Sequence, residues 1–104
     1  MIDIMIKNLY NGFIRIHILY HATEEKICGI EIIQELRRHG YSVSPGTVYP
    51  ILHKMTKDKL LVTHNEIIKG KRRIYYIATT QGKEMLEQVR KKIKELYDEV
   101  ILNE

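Results

Sequence analysis

The chain has 104 residues, of which 44% are hydrophobic and 29% charged, room for one core and too apolar for a disordered chain. Its 17 basic and 13 acidic side chains leave a net charge of +4, and a single cysteine, Cys28, excludes an intrachain disulfide and a multi-cysteine zinc site. No apolar run reaches the roughly 18 residues of a membrane span and no signal-peptide pattern opens the chain, so a cytoplasmic protein without a membrane partner is expected.

Taken in chain order, residues 8–22 place Leu9, Phe13, Ile16, Leu19 and Tyr20 at helical spacing and predict a first amphipathic helix. After a polar loop from Thr23 to Lys26, Gly29–Arg38 predicts a second helix with Ile30, Ile33 and Leu36 inward and Gly40 as its C-terminal stop. Ser44 offers an N-cap hydroxyl and Pro45 a first helical position; Val48, Ile51, Leu52 and Met55 then supply the apolar face of a third helix. Leu60–Ile68 and Arg73–Thr79 read as two strands, joined through a tip of Lys69, Gly70, Lys71 and Arg72. Tyr75 and Tyr76 face opposite sides of their strand, so one belongs to the core and the other to the outer face of the hairpin. Thr79 caps a last helix that runs to about Leu102.

Charge is distributed unevenly over these elements. Residues 1–36 carry three basic and five acidic side chains, residues 37–73 nine against two, and residues 74–104 five against six, so the middle third holds +7. A basic centre between near-neutral ends suits a polyanion, although a solvated lysine-rich surface would account for the charge alone.

On the third helix the apolar face leaves Gly46, Tyr49, Pro50, His53 and Lys57 outward, with Thr47 and Lys54 on the flank. Pro50 withholds an amide from the Gly46 carbonyl, and a mild kink is expected there. Tyr49 and Pro50 could equally serve to set helix curvature. Ser44 lies beside free amides and the positive end of the helix dipole, where a phosphate is well received. Without a base edge to meet, His53 is a solvated polar residue. The four cations Lys69, Lys71, Arg72 and Arg73 are more than charge protection of a sheet edge would need.

In the last helix Leu86, Val89, Ile93, Leu96 and Val100 recur at three- and four-residue steps, widened by Met85, Tyr97 and Ile101. A helix of this length spans roughly 33 Å, more than so small a domain covers by itself, so a partner subunit is expected over part of the stripe and the first helix over the rest.

Helix, helix, helix, strand, strand, helix in one basic domain predicts a mainly α protein with a small β-hairpin wing (α+β), a winged helix-turn-helix with a long C-terminal dimerisation helix. Residues 1–79 would form the DNA-binding part and residues 80–104 the dimerisation helix of the same domain. Ser44 to Met55 (SPGTVYPILHKM), Lys59-Leu60-Leu61, Gly70 to Tyr76 (GKRRIYY) and Thr79 to Gly82 (TTQG) together resemble the PadR family of transcriptional regulators, over roughly residues 12–102. The short C-terminal region resembles the smaller branch of that family. Two departures stand out: Cys28 where many relatives carry histidine, and Lys59 in place of a glycine common in the turn before the wing. The resemblance implies a homodimeric, sequence-specific regulator of double-stranded DNA with a palindromic operator. It implies a repressor released by a small-molecule effector, and a last helix packed on the first helices of both subunits.

Other chemistry is thin. His17 and His21 stand one turn apart without an assigned third ligand, and no metal or other cofactor is expected. Cys28 reads as a buried structural thiol more readily than as a redox sensor. No P-loop, dinucleotide fingerprint, nucleophile elbow or paired carboxylates occur, so no enzyme is expected. The absence of tryptophan argues against an effector pocket built on indole stacking. The alternative function is a winged-helix module that holds a protein partner without reading DNA; it predicts apolar side chains, not cations, on the third helix and the hairpin.

Overall fold

A computed structural model describes residues 3–104, so Met1 and Ile2, the start of the expected DNA-binding part, lie outside the described residues. Seven elements follow one another: α1 (Ile4–Glu24), β1 (Ile27–Cys28), α2 (Gly29–Arg38), α3 (Pro45–Lys57), β2 (Leu61–Ile68), β3 (Lys71–Ala78) and α4 (Thr80–Val100). The expected order holds, with one addition. β1 pairs with β3, so the sheet is three-stranded and antiparallel in the order β1-β3-β2. Two residues are too few to show a period, and β1 exists because β3 offers it a partner.

The helix ends follow local chemistry. Asp3 caps α1 by accepting the Met5 amide at 2.7 Å. The expected loop at Thr23 is still helix, since Thr23 donates its hydroxyl to the Leu19 carbonyl at 2.8 Å and Glu25 donates its amide to His21. Gly40 closes α2 with a φ of 92°, while Tyr41 donates to the Leu36 carbonyl at 3.0 Å. Ser44 occupies the N-cap of α3 through its backbone carbonyl, which accepts from Thr47 and Val48 at 3.0 Å; its hydroxyl caps no amide and lies 3.5 Å from the Thr47 hydroxyl. The helix continues through Pro50 to Lys57 without a break.

Inside, Ile18, Ile32, Leu36, Val48, Leu52 and Leu61 are almost fully enclosed. The face of α3 is as expected, with Val48, Ile51, Leu52 and Met55 buried. Elsewhere the inward face shifts. α1 buries Ile14, Ile18, Leu19 and Ala22, so of the five residues read as its inward stripe only Leu19 lies in the core. α2 buries Ile32 with Ile33 and Leu36, and leaves Ile30 exposed. Leu86 is 3% exposed and belongs to the core, which removes it from any surface offered to a partner.

Tyr76 enters the core, and Tyr75 lies on the opposite sheet face, as alternation requires. Tyr75 is nevertheless buried. It is paired with Cys28 of β1, and the Lys26 ammonium sits 4.8 Å from its ring centroid.

The start of α2 is held by Glu31, whose carboxylate accepts the Cys28 amide at 3.0 Å. That bond, first among its causes, holds the Glu31 carboxyl below the usual carboxylate range. Its contribution is therefore present above the ordinary carboxylate pKa and is lost as pH falls through the lowered folded value. Glu31→Ala is expected to cost under about 1 kcal/mol at pH 7, because the group is exposed to solvent. Urea titrations at pH 7 and about pH 3 would check this: the difference between the two proteins narrows in acid, and an unchanged difference contradicts the role.

Candidate nucleic-acid interface

α3 and the hairpin carry six of the nine basic side chains of residues 37–73, Lys54, Lys57, Lys69, Lys71, Arg72 and Arg73. β2 and β3 pair from Leu61↔Ala78 to Ile68↔Lys71, which leaves only Lys69 and Gly70 as the turn. Both have positive φ, 52° and 77°, the mark of a type I′ hairpin. The tip is therefore tighter than the four residues expected from the sequence, and Lys71 and Arg72 belong to β3. Lys69, Lys71, Arg72 and Arg73 are all exposed.

Neutralising partners are missing along this strip. Arg73 stands opposite Glu66 in the ladder, but Glu66 is paired with Lys26 and lies 3.5 Å from His64. Among the described residues no salt bridge engages Lys57, Lys69, Lys71, Arg72 or Arg73, whereas Lys54 is tied to Asp58 at 3.0 Å. Unpaired exposed cations pay no penalty for leaving a protein carboxylate when they meet a phosphate, and they release condensed counterions there.

On α3 the residues Gly46, Thr47, Pro50, His53, Lys54 and Lys57 are exposed, and Ser44 stands exposed just ahead of them. Tyr49 differs from its expected outward position: it is half-buried and packs against the core. Its ring fills the space that a side chain on Gly29 would need, with the hydroxyl 2.5 Å from where a Cβ would lie. Tyr49 forms one wall of a cleft whose other wall is Lys71, Arg72, Arg73 and Ile74 of β3. The third helix and the wing thus border a single concave surface, a shape and charge suited to a nucleic-acid backbone.

Cys28 is buried beside this cleft, and burial pushes its thiol up, which fits the structural reading. His39 joins His17 and His21, a grouping that sequence spacing could not show. Burial first, then the neighbouring His39 and His21, lowers the His17 pKa below the ordinary imidazole value. No helix among the described residues is long and apolar enough to cross a membrane.

The PadR-like family of transcriptional regulators matches residues 18–88. Transcriptional regulator Rv3488 of Mycobacterium tuberculosis is 44% identical over 88 residues, 85% of this chain and 82% of the relative. Transcriptional activator GvpE1 of Halobacterium salinarum is 36% identical over 67 residues, which span 62% of this chain but only 33% of that longer protein. A PadR-like transcription factor from Bacteroides fragilis superposes with a TM-score of 0.81 at 28% identity, covering 98% of this chain and 100% of the other. These relatives are regulators and not enzymes. With the winged-helix architecture and the motif-bearing third helix and hairpin all inside the matched segment, the chain belongs to the PadR-like family of transcriptional regulators.

Proposed function

We propose that the protein acts in the cytoplasm as a homodimer that binds a palindromic operator in double-stranded DNA, with α3 in the major groove and the wing cations on the phosphate backbone. Residues 1–79 read DNA and residues 80–104 join the subunits. The observation that carries this reading is the set of exposed cations that no salt bridge engages among the described residues, Lys57 at the end of α3 and Lys69, Lys71, Arg72 and Arg73 on the wing, of which the last three wall a cleft with Tyr49 of α3. Dimerisation is supported by apolar side chains left on two helices. Leu9, Phe13 and Tyr20 of α1 and Ile93, Leu96, Tyr97 and Val100 of α4 are all exposed, and Val89 is half-buried. Phe13, Val89, Ile93 and Leu96 among them line, with Ile16 and Met85, an open groove of about 630 Å³. In this proposal the protein is a repressor released by a small-molecule effector, and a groove of this volume lies within the range of small-molecule sites where the partner leaves it uncovered.

Binding isotherms on operator and scrambled duplexes at several salt concentrations test the assignment. Lys71→Ala or Arg72→Ala is expected to weaken both duplexes alike and to reduce the salt slope by about one per lost contact. Thr47→Ala is expected to cost operator binding roughly 1 to 3 kcal/mol and to leave scrambled-duplex binding nearly intact. Equal losses on both duplexes from a folded Thr47→Ala protein would show that α3 does not read bases. A second reading, a module holding a protein partner, is favoured by Ile67, 79% exposed on the wing. It predicts that the purified chain retains no genomic DNA fragment preferentially.

A further inference from the structure

Where α1 meets the end of α2, three imidazoles from two elements converge. His17 and His21 stand one turn apart on α1, and His39 follows α2 directly. One ligand nitrogen of each lies within 4.8 Å of the other two. The His17 and His39 rings stack with centroids 4.6 Å apart. Glu35 adds a carboxylate oxygen 3.7 Å from His21 Nε2, shared with Arg38 at 2.8 Å. The cluster opens into a concavity walled by Tyr20, Leu86, Arg90 and Ile93.

Histidine rings can meet for packing alone, so the geometry has to be compared with what an ion requires. In a tetrahedral site with metal–nitrogen bonds of about 2.0 to 2.1 Å, ligand atoms stand about 3.3 Å from one another. The observed spacings exceed this by at most about 1.5 Å, a gap that turning side chains can close, since His39 is exposed while His17 and His21 are only half-buried. The pair on α1 has the one-turn spacing that puts two ligands on one helix face, and the turn after α2 delivers the third. Three imidazoles favour zinc and its d-block neighbours over magnesium or calcium, which prefer all-oxygen sites. A partial set of three protein ligands leaves a fourth position for water or another donor.

We propose that His17, His21 and His39 form a binding site for a divalent d-block cation of the zinc type, with Glu35 supplying nearby negative charge. The sequence argued against a metal because His17 and His21 lacked a third ligand, and His39 supplies it. A bound ion ties the end of α2 to α1, and so links the helix-turn-helix to the helix that carries the exposed apolar stripe.

The test uses the full, tag-free chain and no DNA, so its outcome is independent of the regulatory reading. Titration with Co(II) is expected to produce a visible absorption band that saturates at one equivalent per chain. Zn(II) is expected to displace Co(II) and raise the melting temperature, since an ion held only by the folded chain stabilises it. Mg(II) is expected to do neither. His39→Ala, at an exposed position whose fold is checked by circular dichroism, is expected to bind at least about tenfold more weakly and to lose the zinc-dependent rise. His64→Ala, on the wing, is the control that retains both. Absence of a saturating band, an unaltered His39→Ala protein, or an equal loss in His64→Ala would overturn the site.

Discussion

Alanine in place of Gly82 is expected to destabilise the protein by about 3 kcal/mol, the upper end of the usual range for an overpacked position. Gly82 lies in the first turn of α4, where its amide bonds the Thr79 hydroxyl at 3.0 Å. A Cβ there would fall 2.2 Å from the Leu60 carbonyl oxygen, a backbone atom with little freedom to retreat. That carbonyl already accepts the Thr79 amide at 3.1 Å, and the Thr79 hydroxyl donates to the Lys59 carbonyl at 2.6 Å. Lys59 itself is in the left-handed region with a φ of 66°, a conformation that glycine adopts more readily than a residue with a side chain. Relieving the contact would disturb this whole braced turn. Alanine's gain in helix propensity, at most about 1 kcal/mol, does not offset it. Urea denaturation would show a lower midpoint at unchanged slope, and a midpoint close to wild type would show that the turn yields cheaply.

Glutamate at both Ile93 and Leu96 is expected to yield folded monomers whose operator affinity is lower by about 10² to 10⁴, the advantage that linking two half-site contacts confers. Ile93 is 45% and Leu96 55% exposed in the lone chain, so each charge costs the subunit little until a partner covers it. Leu86 would be the wrong choice for this experiment, because its burial makes any charge there an unfolding substitution. Sedimentation of both proteins at micromolar concentration decides the matter. A monomeric wild type, or a double variant that remains dimeric, would remove the proposed seam.

The parts of this fold that were legible in advance are those marked by local chemistry. Ser44-Pro45 opens α3, a hairpin turns around Gly70 with cations clustered about it, and Thr79 caps α4, although the turn is shorter than the four residues expected and Lys71 and Arg72 belong to β3. Which face of a helix looks inward was harder to read. α1 is apolar on two sides, Ile14 and Ile18 on one and Leu9 and Phe13 on the other, and periodicity alone does not say which side meets its own chain. The same ambiguity affected Ile30 and Leu86. Features made by long-range contact had no local signal at all. Tyr49 is drawn inward by the vacancy at Gly29, β1 by the free edge of β3, and His39 to α1 by the packing of α2.

The order of strands sets the mechanics of the wing. β1 reaches β3 only at Tyr75 and Tyr76, so the hairpin is anchored at its root to the start of α2. From Lys71 to Ile74 the ribbon has β2 as its only neighbour strand. Four residues of free ribbon extend about 13 Å, and a two-stranded ribbon twists more than a wider sheet. Lys71, Arg72 and Arg73 ride on that compliant arm, while the α3 residues sit on the rigid body behind it. In the proposed mode of binding, α3 would therefore keep a fixed attitude while the wing follows variations in the course of the phosphate chain, so that local bends in the duplex change how the arm lies without changing which bases are presented to α3.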